Sequence, residues 1–109
     1  MNPTAPPGPA RFTRAALADL RDVAVWIARD NPAAAEAFQA AALQGARLIS
    51  EHPEIGQIRW DIASDRFRFL VLRGFPHVLV YEPNAAPPRI LRVLHGARDL
   101  GAVLSGLRG

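Results

Sequence analysis

The stretches Arg73–Tyr81, RGFPHVLVY, and Arg89–Leu100, RILRVLHGARDL, decide the fold of this 109-residue chain. Val78-Leu79-Val80-Tyr81 is strongly β-favouring, so a strand is expected over His77–Glu82. Arg73-Gly74-Phe75-Pro76 before it reads as a turn. Upstream, Arg66–Leu72 (RFRFLVL) alternates polar and apolar at its start and is apolar at its end, as a strand entering a sheet does. Downstream, Asn84–Pro88 makes a loose connection to a third strand, Arg89–His95. Gly96 breaks that strand. Leu100, Val103, Leu104 and Leu107 then recur at the spacing of a short amphipathic closing helix. Three strands joined by short connections predict an antiparallel meander.

Before the meander the period changes. Leu17, Leu20, Val23, Ala24 and Ile27 recur at three- and four-residue steps, which predicts a helix from Arg14 onward. Asp30 and Asn31 precede Pro32, and proline suits the first turn of a new helix. That second helix presents Ala34, Phe38, Ala41, Ala42, Gly45, Leu48 and Ile49 on one face, its small residues expected to admit a neighbouring helix. Pro53 and Gly56 end it. The linker is too short for anything but an antiparallel hairpin. Residues 1–9 hold four prolines and a glycine and are expected to form a flexible tail. Ala10–Thr13 suits a short edge strand, and within Gln57–Asp65 the run IRWDI suits an extra extended piece. The expected fold is α+β: residues 10–109 as a single domain, an N-terminal helical hairpin packed on a small antiparallel sheet, closed by a short C-terminal helix.

Composition narrows the chemistry. Half the residues are hydrophobic, so the chain can bury a core. No apolar run approaches the roughly 18 residues of a membrane span, and MNPTAPPGPA has no signal-peptide pattern, so a cytoplasmic protein is expected. Without cysteine there are no disulfides and no thiol chemistry. The net charge is +3 and every cationic side chain is arginine, which excludes a lysine nucleophile. Eight of the thirteen arginines lie from Arg59 onward beside only four acidic residues. An acidic partner for the C-terminal half follows from that distribution.

With these segments in order, the chain resembles the RelE/ParE toxin superfamily of type II toxin–antitoxin systems. Ala16–Phe38 (ALADLRDVAVWIARDNPAAAEAF) is similar to the family's opening helix, Asn-Pro break and Ala-rich second helix. His52–Gly56 (HPEIG) sits where the family often has a Pro–x–x–Gly turn. Arg66–Pro83 resembles the two central strands, and Arg89–Leu100 the last strand and its exit. FPHVLVY and VLHGARD look closer to the ParE branch than to RelE. The resemblance implies a toxin neutralised by a cognate, ParD-like antitoxin, of the kind linked to plasmid stabilisation, with no cofactor. ParE-type toxins are understood to inhibit DNA gyrase by binding it; RelE-type toxins are endonucleases that cut mRNA on the ribosome. The first reading makes the chain a protein-binding inhibitor, the second an mRNA interferase.

Cutting a phosphodiester requires a base for the 2′-hydroxyl, an acid for the leaving oxygen and cations on the phosphate. The candidates are His77, His95 and Arg98, the first and last matching positions where RelE-type enzymes use a basic residue and an arginine. The RelE-type lysines are absent, and no tyrosine follows Arg98. For His95 the plain alternative is a hydrogen-bonded structural residue; for Arg98 and Asp99, otherwise candidates for target binding, it is helix-cap chemistry. For the antitoxin the resemblance implies an apolar groove with basic rims, between the helical hairpin and a sheet edge. Leu17, Leu20, Val23 and Ile27 would supply the apolar part, and Arg66, Arg68, Arg73 and Arg92 the charge; a solvated sheet edge is the alternative for Arg66 and Arg68. Tyr81 is expected to face the core, Trp26 to sit at the core margin, and Trp60 is open between core and interface. His52, His77 and His95 do not fall at metal-ligand spacings, so no metal site is expected.

Overall fold

Thr13 starts the first helix. Its Oγ1 accepts the Ala16 N–H at 3.2 Å and donates to the Leu91 carbonyl at 3.0 Å, so one side chain caps the helix and pins it to a strand. In the computed structural model, which describes residues 8–61 and 63–100, the elements run β1 (Arg11–Phe12), α1 (Arg14–Ala28), α2 (Pro32–Glu51), β2 (Arg68–Val71), β3 (His77–Glu82) and β4 (Arg89–His95). Asn31 caps α2 through the Ala34 N–H, with Pro32 in the first turn as its sequence position predicts. Of the expected closing helix only Leu100 is described; Val103, Leu104 and Leu107 lie outside the described residues.

The four strands are ordered β1-β4-β3-β2. The meander β2-β3-β4 is antiparallel as expected, while β1 adds to β4 in parallel, so the sheet is mixed. The β2–β3 turn contains Gly74 at φ +86, a left-handed conformation that glycine adopts without strain. Of the run IRWDI, residues 58–61 form no strand and Ile62 lies outside the described residues; Gln57 makes an isolated bridge to Phe69, and Trp60 and Asp61 lie in a turn. Of the expected tail, residues 1–7 lie outside the described residues and Gly8 accepts a hydrogen bond from the Ser50 hydroxyl; just after the tail, Ala10 N–H reaches Ala46 O at 3.1 Å.

Each face of the sheet carries its own core. Leu72, Leu79, Tyr81, Ile90 and Val93 pack against Phe38, Ala42, Ala46 and Ile49 of α2 and Ala16 and Ala24 of α1. Phe67, Phe69, Val78, Val80 and Leu94 face the other way, where Ala63 and the half-buried Leu91 and Leu100 cover them. The small residues of α2 serve the sheet as well as the helix pairing. A Cβ on Gly45 would stand 2.8 Å from Leu79 Cδ1, so glycine sets the distance of α2 from β3. Tyr81 crosses the main core and ends in two bonds, its hydroxyl donating to Pro53 O at 2.6 Å and accepting from Gly56 N–H at 2.9 Å. That ties the turn after α2 to the central strand, at the Pro–x–x–Gly turn read from sequence.

The outer edge of β4 is closed by a side chain. β1 pairs only with Arg89 and Ile90, and Leu91 is an extra residue where Val80 pairs with Arg92 and Tyr81 with Ile90. Beyond that bulge, Asp19 of α1 accepts the Val93 N–H at 2.9 Å and both Nε and Nη2 of Arg92, at 2.7 and 2.9 Å. The carboxylate thereby satisfies an edge amide and forms a fork-on-fork ion pair with one residue. Asp19→Ala leaves the Val93 N–H and the Arg92 guanidinium without their acceptor. It is expected to destabilise the fold by about 2 kcal/mol in urea titrations, against about 1 kcal/mol for Arg92→Ala, which keeps the amide bond.

Candidate functional site

The register of β3 on β4 places His77, the first residue of one strand, opposite His95, the last of the other. Their rings meet edge to face with centroids 5.4 Å apart, and His77 also meets the Phe38 ring at 5.1 Å. His77 is only 7% exposed, and its Nδ1 has no hydrogen-bond partner among the described residues. Burial pushes its pKa below the usual histidine value of 6.5, His95 and Arg98 push it further the same way, and Asp99 partly opposes them. A neutral imidazole of this kind holds no phosphate by charge.

His95 is committed to the backbone. Its Nδ1 accepts the N–H groups of Ala97 and Arg98 at 3.2 and 3.1 Å, while Asp99 Oδ2 accepts the His95 N–H at 3.0 Å. This is a reciprocal cap on the helical turn leaving β4, of the kind a capping box makes. These bonds assign the proton of the neutral ring to Nε2 and occupy the lone pair at Nδ1. Asp99 is thus a capping residue, and Arg98 has no ion-pair partner among the described residues.

The Arg98 guanidinium and His77 share a cleft of about 260 Å³ with Asp22, Val23 and Trp26 of α1. Trp26 is 63% exposed, which corrects its assignment to the core margin: the buried stripe of α1 runs through Leu20, Val23, Ala24 and Ile27, and Trp26 stands to one side of it. Arg29 lies over its ring at 5.2 Å. Trp60, left open by its sequence context, is 71% exposed beside the Arg59–Asp61 ion pair.

A second concavity, of about 490 Å³, lies between α2 and the edge strand β2. It lies between the hairpin and a sheet edge, and its walls are Ala41, Gln44, Gly45 and Leu48 and the run Leu70–Arg73. Of the residues named for the antitoxin, Arg73 lines it. Leu20, Val23 and Ile27 are half-buried against the main core, and Leu17 is 51% exposed on α1. Arg66 pairs with Glu82 at 3.0 Å, Arg68 donates to the carbonyls of Glu54 and Gly56, and Arg92 is held by Asp19. Three of the four arginines therefore have partners within the fold. Asp22 and Trp26 are a missed pair whose signal was present: four residues apart, they share a helix face that the apolar stripe does not use.

A small α+β domain with a helical hairpin across one face of its sheet, a groove along β2 and a polar cleft at the exit of β4 is the class these observations define. A family model described as the ParE toxin of the type II toxin–antitoxin system parDE matches residues 10–100, and the chain belongs to that family. Among solved structures it is similar to a chain of the chromosomal ParDE toxin–antitoxin system from P. aeruginosa, with TM-score 0.68 and 18% identity over 84% of this chain and 98% of that one. No curated protein sequence matches it. The RelE/ParE resemblance read from the residues, and its lean toward ParE, are thus borne out.

His77 carries a pH signature. Its native pKa lies below the 6.5 of the unfolded chain, so the unfolded state binds the proton first as pH falls. Its contribution is intact above pH 6.5 and is lost as pH drops from there through the native value. Urea titrations at pH 7.5 and 5.5 are expected to show lower stability at 5.5, with the difference reduced in His77→Phe; an unchanged difference would remove His77 as its source.

Proposed function

We propose that this ParE-family toxin inhibits DNA gyrase by binding it rather than by catalysis, in the cytoplasm, and that its cognate antitoxin silences it from the groove between α2 and β2. The observation that carries the non-enzymatic reading is the double amide bond to His95 Nδ1. A base for RNA cleavage needs a free lone pair, and this one is engaged by the cap. His77, its pKa lowered by burial, brings no charge to a phosphate, and Arg66, Arg68 and Arg92 have partners within the fold, which leaves Arg98 as the one arginine lining the cleft among the described residues. Trp26 and Arg98 then form the surface offered to the target, an exposed aromatic beside a guanidinium without an ion-pair partner among the described residues, the residue types that dominate protein interfaces. Among the described residues no helix is long and apolar enough to cross a membrane.

For the antitoxin, the edge of β2 supports a strand-adding mode. Phe69 exchanges both backbone bonds with Gln57, at 2.9 and 2.8 Å. By the alternation of an antiparallel ladder, Val71 is the next residue whose N–H and C=O turn outward. It has no partner on that side among the described residues and is 64% exposed at the rim of the apolar groove. An extended segment with alternate apolar side chains suits such an edge, and acidic residues on it would reach Arg73. Leu17 and Arg73 are the residues of the sequence-derived antitoxin set whose side chains remain available to it.

The target is tested with the purified full chain against gyrase in a supercoiling assay and, in parallel, against mRNA on translating ribosomes. Loss of supercoiling with intact transcripts is the expected outcome; cut transcripts with normal supercoiling would make it an mRNA interferase. The edge is tested by Val71→Glu, which places a carboxylate on the open strand beside the groove. Calorimetric titration with the cognate antitoxin is expected to show affinity reduced by more than about tenfold, while gyrase inhibition persists; unchanged affinity would move the antitoxin elsewhere.

A further inference from the structure

The cleft at the exit of β4 holds two opposite charges that do not meet. Asp22 and Arg98 both line it, yet neither forms an ion pair within 4.0 Å among the described residues. Asp22 and Trp26 stand one helical turn apart with Val23 between them, so a carboxylate and an indole project from one face of α1. His77 completes the wall, buried and with its Nδ1 unpartnered among the described residues. A simple anion would be repelled by Asp22, a simple cation by Arg98, and an apolar group would strand both. The matching ligand is flat, with adjacent donors on one edge and adjacent acceptors on another.

Among nucleobases, guanine has that distribution. Its N1–H and exocyclic N2 amine form a donor pair for a carboxylate, and its O6 and N7 form the acceptor pair that an arginine fork reads. Adenine would turn its N1 lone pair toward Asp22, and cytosine its N3. Trp26, 63% exposed with Arg29 over its ring, supplies the stacking surface for a planar ligand. We propose that this cleft binds a guanine base, presented either by a free guanine nucleotide or by an unpaired position in single-stranded nucleic acid. The site shares Trp26 and Arg98 with the surface proposed for the target; nucleotide binding by the toxin alone is read separately from gyrase inhibition.

The chain contains two tryptophans, and Trp60 is exposed, so Trp60→Phe makes Trp26 the sole indole reporter. Titration of that full-length variant with GMP is expected to quench its fluorescence saturably, with AMP and CMP at least about tenfold weaker. In the same background Asp22→Asn is expected to erase the preference for GMP over AMP, and Arg98→Gln to weaken GMP binding. Circular dichroism checks that each variant is folded; neither side chain makes a bond within the described fold. A single-stranded oligo-adenylate carrying one guanine separates the sources: tighter binding than GMP assigns the site to a strand, weaker binding to the free nucleotide. The proposal is overturned if GMP gives no saturable quenching, if AMP binds as well as GMP, or if Asp22→Asn keeps the preference.

Discussion

Every side chain of β3 from His77 to Tyr81 is buried, and most of the architecture follows from that strand having no solvent face. An antiparallel strand usually has one face to protect; this one has two. The helical hairpin covers Leu79 and Tyr81, while the irregular chain around Ala63 and Phe67 covers Val78 and Val80. Tyr81 makes the two covers interdependent. It fills the helix-side core, and its hydroxyl holds Pro53 and Gly56, from which the chain turns toward the other face. A Cβ on Gly56 would fall 2.8 Å from the Tyr81 ring, so the turn is shaped to the tyrosine as much as the tyrosine is held by the turn.

The two edges of the sheet are treated differently, and the difference organises the surface. At β4 the edge is sealed, first by β1 and then by Asp19, whose carboxylate takes the next free amide and the neighbouring guanidinium. At β2 the seal stops at Phe69, where Gln57 leaves the chain, and the strand continues beside an apolar groove against α2. Among the described residues that edge is unsealed beside apolar surface, which suits a pairing segment, the mode proposed above for the antitoxin.

The catalytic candidates were legible as residues but not as roles. His77, His95 and Arg98 do converge at one end of β3 and β4, as their positions near strand ends indicated. What they do there depends on bonds that no spacing reveals. His95 Nδ1 is taken by two backbone amides of its own exit turn, a local arrangement hidden because histidine is an uncommon cap. His77 is set by burial against Phe38, which lies 39 residues earlier and reaches it only through tertiary packing. The arginines show the same limit. A count of positive residues in the C-terminal half pointed to an acidic partner, but Asp19, Glu82 and the carbonyls of the α2 exit turn meet Arg92, Arg66 and Arg68 within the chain itself.

In RGFPHVLVY and RILRVLHGARDL the residues by themselves determined two antiparallel strands, the turn at Gly74 and the exit at Gly96, because β-propensity and chain reversal are local properties. They also carried the resemblance that the family match supports. Only the tertiary structure decided that β1 pairs in parallel with β4, that Trp26 faces outward, and that Asp22 and Arg98 share a cleft without pairing. Those outcomes depend on which distant groups arrive beside one another, and burial, pairing and accessible charge are properties of such neighbourhoods rather than of any stretch of chain.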